Sequence, residues 1–259
     1  MSTLMLRLAA PLQSWGTESK FNIRTTNREP SKSGVIGFLA AALGYSRDES
    51  NERLNRLNSL RFGVRIEQEG NLLIDYQTAF GPFMQDGSEV TTESFRHYLS
   101  DAVFLVGLEG ERKQLEELEY ALNHPVFPLF LGRRSCPPMP PIVLGIRDCD
   151  LPEALRDEPW QALDWYKTKW KSKAEKTNEE LFLRVQYEPA EGEAYQAIQR
   201  DLPISFNQSH RQYGYRGYTA MYVNITPDET ASVDENIDEE NLPELNEPKE
   251  HDPMKELEE

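Results

Sequence analysis

The negative charge of this chain is gathered at one end, and that limits how much of it can form a packed fold. The 259 residues carry 44 acids and 28 bases, a net charge of −16. Between Pro227 and Glu259 lie fourteen acids and only Lys249 and Lys255, a balance of −12, with four prolines and no aromatic residue. Such a segment buries too little apolar surface to offset its ordering entropy, so 227–259 is expected to be an acidic, disordered tail. It would act as a solubilising extension or as a mimic that competes with nucleic acid for basic surface. Residues 1–226 hold thirty acids and twenty-six bases, and they are the part to read for a fold.

That body can fill a core, since hydrophobic residues make up 38% of the chain and aromatics 10%. No run approaches the roughly 18 apolar residues a membrane span needs. The N-terminus lacks the basic start and small-residue cleavage site of a secretion signal. Only Cys136 and Cys149 occur, which excludes a disulfide framework or a cysteine-rich zinc site. A soluble, cytoplasmic protein without membrane contact is expected.

Thr3 to Leu8 reads as a strand with Leu4, Leu6 and Leu8 on one face. A polar loop follows from Leu12 to Pro30. Pro30-Ser31-Lys32-Ser33-Gly34 opens a helix with Ser31 or Ser33 as N-cap, and Gly44 closes it. A second helix is expected over about 49–60. Arg61–Gln68 and Leu72–Phe80, separated by Glu69-Gly70-Asn71, read as a hairpin. After the polar insertion 81–92 come a long strand over about 95–108, a helix over 111–123 and a short final strand at Val126–Leu131. This order fits an α+β, ferredoxin-like βαββαβ plan, the RRM architecture. Beyond it, a polar helical stretch over 151–176 leads to strands near 181–187 and 215–225. The expected organisation is a ferredoxin-like domain at 1–135 with an insertion near 81–93, a smaller β-rich unit at 136–226, and the tail.

Enzyme signatures are missing from the sequence. His97, His124, His210 and His251 form no helical zinc pair, and there is no nucleophile elbow, Walker loop or dinucleotide fingerprint. No cofactor or metal is expected. Phe95-Arg96-His97-Tyr98 holds the groups a metal-independent ribonuclease needs, namely a base, an acid and a cation. On one strand, however, His97 would face away from Arg96 and Tyr98.

The bases cluster near aromatics, which suits single-stranded nucleic acid: cations bind phosphate and rings stack on unpaired bases. Arg7, Lys20, Arg24, Arg28 and Lys32 crowd the first 34 residues around Trp15 and Phe21. Lysines alternate with aromatics from Tyr166 to Lys173, either as a binding surface or as a solvated face. Two local features are sharper. At the helix start, the Lys32 ammonium, the Ser33 hydroxyl and the Gly34 amide make a phosphate site or a plain capped terminus. In Leu131-Gly132-Arg133-Arg134-Ser135-Cys136-Pro137, two arginines can fork onto phosphates or form surface salt bridges.

These segments also carry a resemblance. Arg7-Leu8-Ala9-Ala10-Pro11-Leu12-Gln13-Ser14-Trp15-Gly16, the helix block 30–44 and the arginine loop 131–137 resemble the CasD family of Cascade subunits, in the CRISPR-associated RAMP superfamily. The blocks stand in family order, and the likeness spans roughly residues 3 to 225; the acidic tail falls outside it. The resemblance implies a modified RRM fold with a protruding β-hairpin thumb, placed at the insertion 81–92 and its flanking strands. It implies a non-catalytic subunit that binds the 5′ handle of CRISPR RNA and caps the complex. Its neighbours would be the backbone subunit CasC and the large subunit CasA, with target DNA met only indirectly.

A sister branch cuts the precursor RNA with tyrosine, lysine and histidine, so a metal-independent endoribonuclease is the alternative. Here the base beside His97 is Arg96 rather than lysine, which favours a non-catalytic role. The candidate RNA-binding set is Trp15, Lys20, Arg24, Arg28, Lys32, Ser33, Gly34, Arg96, His97, Arg133, Arg134 and Ser135. Trp15 is either a stacking surface or a core residue.

Overall fold

The computed structural model of the chain describes residues 1–17, 22–47, 51–81, 91–177, 180–207 and 209–225. Lys20, the insertion residues 82–90 and the acidic tail lie outside the described residues. Antiparallel sheet dominates a mixed α/β architecture.

Strands β1 (Ser2–Ala9), β4 (Arg61–Gln68), β7 (Val103–Gly110), β8 (Val143–Arg147), β9 (Leu181–Tyr187), β10 (Ala197–Ser205) and β11 (Gln212–Ile225) form one seven-stranded sheet. Its order is β10-β11-β9-β4-β7-β1-β8. β1 lies one strand in from the β8 edge and runs in full register with β7, from Ser2 opposite Gly110 to Ala9 opposite Val103. The segment expected as a separate β-rich unit adds β9 and β11 to the same sheet, through β9 on β4.

Side-chain alternation splits the interior into two cores. Leu4, Leu6 and Leu8 pack with α1 (Lys32–Ala42), α2 (Asn51–Asn58) and α3 (Arg112–Asn123). Met5 and Leu105 face the other way, against α4 (Leu151–Asp157), Trp160 and the inner side of α5 (Asp164–Thr177). Gly63 and Gly107, opposite each other in β4 and β7, let α4 sit close: a Cβ at either would fall 2.6 Å from Leu155 or Leu151. Helices therefore cover both faces of the central sheet.

A smaller sheet stands apart, formed by β2 (Leu12–Gln13), β3 (Ile23–Arg24), β5 (Asn71–Phe80) and β6 (Thr91–Ser100). β5 and β6 make a long hairpin, paired from Asn71 opposite Ser100 to Phe80 opposite Thr91. These are the strands that flank the expected thumb insertion.

Several expectations need correction. The strand expected over 95–108 is broken at Asp101, whose φ is 56°, so that β6 and β7 belong to different sheets. β4 pairs with β7 and β9 while β5 pairs with β6, so the expected hairpin across 69–71 is a crossing between sheets. Val126–Leu131 is not a strand. Pro125 and Pro128 remove ladder donors, and the amides of Val126 and Phe127 instead cap α1 at Ala42 O and Ala41 O, at 3.0 and 3.2 Å. β8 takes the sheet edge beside β1 in its place. The helical stretch 151–176 is two helices, α4 and α5, and β10 was not anticipated.

Candidate nucleic-acid interface

The arginine loop is shaped by its backbone. Leu131 is buried, and its amide donates to Cys136 O at 2.7 Å while the Cys136 amide donates to Arg133 O at 2.9 Å. The Ser14 amide donates to Leu131 O at 3.2 Å and ties the loop to the N-terminal signature. Gly132 has φ 87°, and a Cβ there would fall 1.7 Å from Ser14 O, so only glycine fits.

This geometry lays Arg133 against the small sheet. Its guanidinium sits 4.5 Å from the centroid of the Tyr98 ring, a cation–π distance, and its Nη2 donates to Arg24 O at 2.8 Å. Arg24 is the parallel partner of Arg96 in β3 and β6, so the two share a face with Tyr98. Arg134 extends the cluster, exposed and without a partner among the described residues. Two donors within it, Arg133 Nη1 and Arg96 Nε, are buried and make no hydrogen bond to the described residues.

Tyr98, weighed in the sequence only as a ribonuclease group beside His97, was left out of the RNA-binding set. Its ring is buried. Burial pushes the phenol up, but hydrogen bonds with Ser135 and Arg133, together with the guanidinium charge, more than reverse this, leaving it below the ordinary tyrosine value. Ser135 is thus placed beside the cluster. Burial pushes the Cys136 thiol up, which keeps it an unreactive packing residue. The only local signal for the Tyr98 role was its i, i+2 relation to Arg96.

His97 lies on the opposite face of β6, across from Ile74. That face carries Ile23, Phe95 and Tyr76, the last two rings 5.3 Å apart. Leu72, Leu73, Ile74, Tyr76 and Phe80 are exposed along β5, an apolar blade that the sequence reading did not single out. Arg28 is exposed on the loop ahead of α1.

The helix start is not what the sequence suggested. Lys32 is 3% exposed, and its Nζ donates to Asn58 O at 3.1 Å, Leu60 O at 2.9 Å and both carboxylate oxygens of Glu188 at 3.0 and 2.9 Å. Burial pulls its ammonium below the ordinary lysine value, with Glu188 acting the other way. Its backbone amide donates to Asp201 Oδ2 at 2.7 Å, and the Gly34 amide donates to the Ser31 hydroxyl at 3.2 Å. Ser33 is also buried. Protein carboxylates therefore fill the anion position of this helix end. Lys32, Ser33 and Gly34 are corrected from phosphate ligands to parts of the fold.

Trp15 is corrected as well: it is 2% exposed, donates from Nε1 to Gln13 Oε1 at 3.0 Å, and lies against Gly34, where a Cβ would be 2.9 Å from its ring. It is a core residue and offers no stacking surface. It also separates the arginine loop from the helix start.

Comparison with known proteins identifies the family. A family model described as CRISPR-associated protein (Cas_Cas5) matches residues 3–218. The CRISPR system Cascade subunit CasD of Escherichia coli (strain K12) is 36% identical over 158 residues, covering 56% of this chain and 70% of that protein. A chain of a solved CRISPR RNA-guided surveillance complex is similar with a TM-score of 0.69 at 29% identity, over 86% of this chain and 90% of that one. A second, described as a Cas protein, gives a TM-score of 0.60 at 35% identity, over 88% and 96%. With a family match across most of its length, the chain belongs to the Cas5 family of CRISPR-associated proteins, as CasD does.

Proposed function

We propose that this chain is a non-catalytic Cascade subunit that binds the 5′ handle of CRISPR RNA on the face built from Arg24, Arg96, Arg133 and Arg134. The observation that carries the reading is the convergence of these arginines, with two buried guanidinium donors, Arg133 Nη1 and Arg96 Nε, left without acceptors among the described residues. Buried donors are costly when unpaired, and phosphate oxygens accept them with charge assistance. Arg28 continues the path and Ser135 completes it; Lys20 belongs to the proposed RNA-binding set by its sequence alone. No catalytic residue is assigned: His97 and Tyr98 occupy opposite faces of β6, and Tyr98 is engaged by Arg133.

The wider role follows the same reading. The subunit caps one end of the complex, with the exposed apolar blade of β5 and β6 meeting the backbone subunit CasC. The large subunit CasA lies alongside and brings target DNA into indirect contact. A ferredoxin-like core at 1–135, a β-rich extension at 136–226 and the tail at 227–259 describe its organisation. The strand order β4-β7-β1-β8, with α1 and α3 on one face, supports the ferredoxin-like core, but its fourth strand β8 comes from Val143–Arg147, beyond residue 135.

The test is handle binding by Arg133→Ala/Arg134→Ala in the reconstituted complex. Affinity for handle RNA should fall at least tenfold while the melting temperature stays near that of the parent. Arg133→Lys, which keeps the charge and loses the planar fork, should recover only part of the loss. Unchanged affinity in the double variant would remove the interface.

A further inference from the structure

Helix α5 has lysines at 167, 169, 171, 173 and 176 against Asp164 and Glu175, a balance of +3 in fourteen residues of an acidic chain. One side of it is fixed: Tyr166 and Trp170 meet Trp160 edge-on at 6.2 and 6.0 Å within the second core. A flank about 100° round the helix from it presents Trp165, Lys169, Ser172 and Lys176 in one exposed stripe, by helical spacing. The hydroxyls of Thr168 and Ser172 bond back to carbonyls one turn earlier, at 2.9 and 3.1 Å. Lys169 and Lys176 make no ion pair with a described side chain, unlike Arg56, Arg61, Arg112, Arg147, Arg184 and Arg216.

The second observation is where the acidic segment begins. β11 ends at Ile225, which pairs with Leu181 at the start of β9. α5 ends at Thr177, only four positions before Leu181. Ile225 is the last described residue before the fourteen acids, and its partner Leu181 follows the end of the lysine helix by four positions. α5 is about 21 Å long, a length that about seven extended residues cover. Asp228, Glu229, Asp234, Glu235 and the run Asp238-Glu239-Glu240 fall within reach of it.

We propose that the acidic segment 227–259 docks along the lysine face of α5 and competes there with the phosphate backbone of nucleic acid. Tethering gives the segment an effective concentration on the order of millimolar at the helix, without needing a high intrinsic affinity. A nucleic acid gains access only by offering enough contiguous phosphates to displace it, so weak sequence-independent binding is suppressed. This surface lies on the other side of the large sheet from the arginine interface, and it stands or falls independently of handle binding.

Zero-length carbodiimide crosslinking of the full chain, with peptide mapping, tests the contact. Carboxylates of 227–259 should join Lys169 and Lys176 in preference to Lys113, an exposed lysine on α3. Random-sequence duplex DNA should suppress those links. In a full chain carrying Asp234→Asn, Glu235→Gln, Asp238→Asn, Glu239→Gln and Glu240→Gln, duplex affinity should rise about fivefold, and Lys169→Glu/Lys176→Glu should cancel the rise. The proposal is overturned by links spread evenly to Lys113, by links indifferent to the duplex, or by an unchanged duplex affinity. A rise that survives the lysine reversals overturns it too, since the acids would then act through net charge alone.

Discussion

Lys32→Met separates the two roles that this lysine could have. The methionine keeps much of the buried stem and removes the ammonium. In the folded protein that ammonium shares its N–H donors among four acceptors, both carboxylate oxygens of Glu188 and the carbonyls of Asn58 and Leu60, in a side chain 3% exposed. Removing one partner of a buried pair costs about 3–5 kcal/mol. Arg216 Nε remains 3.7 Å from Glu188 Oε1 and compensates part of the stranded charge, which places the cost at the low end, about 3 kcal/mol. For a domain of this size that corresponds to about 6–12 °C in melting temperature. Thermal and urea unfolding give the stability change. Binding to handle RNA, measured well below the transition, should stay within about twofold of the parent, since the arginine face is separate. A variant that melts like the parent and loses RNA affinity would show that the ammonium faces ligand and that its buried network has been misread.

Three further expectations concern other parts of the fold. Gly132→Ala should lower the melting temperature by several degrees and weaken RNA binding together, because the new Cβ collides with Ser14 O and displaces the arginine loop; parental values for both, by melting and filter binding, would mean the loop does not position the arginines. Arg65→Leu should cost about 3–5 kcal/mol in urea unfolding, since it leaves Glu67 charged and fully buried. Adding Glu67→Leu should recover only part of this, as Arg65 also serves the carbonyls of Leu155, Arg156 and Pro159; full additivity of the two substitutions would contradict a coupled pair. Asp148 lies below the usual carboxylate range through its hydrogen bond from Arg112, with Ser2 and the Arg112 charge adding to it. Its contribution is therefore present above the unfolded carboxylate pKa and is lost as pH falls through the lower folded value. Asp148→Asn should flatten the acid limb of the stability curve, and an unchanged limb would leave the pair without effect.

What the sequence disclosed, and what it hid, follows from how far each partner lies along the chain. The Leu4, Leu6 and Leu8 alternation, the α1 cap at Ser31 and the amphipathic α3 are local patterns, and they read correctly. The function of Lys32 did not, because its partners Glu188 and Asp201 stand 156 and 169 positions away. The second core escaped for a related reason. β1 is buried on both faces, yet Thr3 and Arg7 mark the second face as polar; Arg7 Nε is satisfied by Gln161 O at 3.1 Å, a contact that no window on β1 contains. The arginine loop was legible as a loop from Gly132 and the prolines. That Arg133 would turn onto Tyr98 and share a face with Arg96 needed the parallel pairing of β3 with β6.

The covered second face also bears on the proposed binding of RNA. In an open RRM-like sheet the central strands would offer side chains to stack on bases. Here α4, Trp160 and α5 lie over that surface, and Arg65, Glu67 and Arg7 are consumed beneath them. The proposed handle binding accordingly uses the rim, where a small sheet and the Gly132 loop bring guanidinium groups together. The net charge of −16 does not oppose this. Exposed charges are screened beyond a Debye length of about 8 Å at physiological salt, so an anion at Arg133 responds to its immediate neighbours. Among the carboxylates of the body, Glu29 is held by Arg184, Glu188 and Asp201 by Lys32 and Arg216, and Glu109 by Arg61. Their field is cancelled within each pair, while Arg24, Arg28 and Arg134 keep theirs. Of the net −16, −12 belongs to residues 227–259, and the docking on α5 proposed above would keep that charge away from the rim.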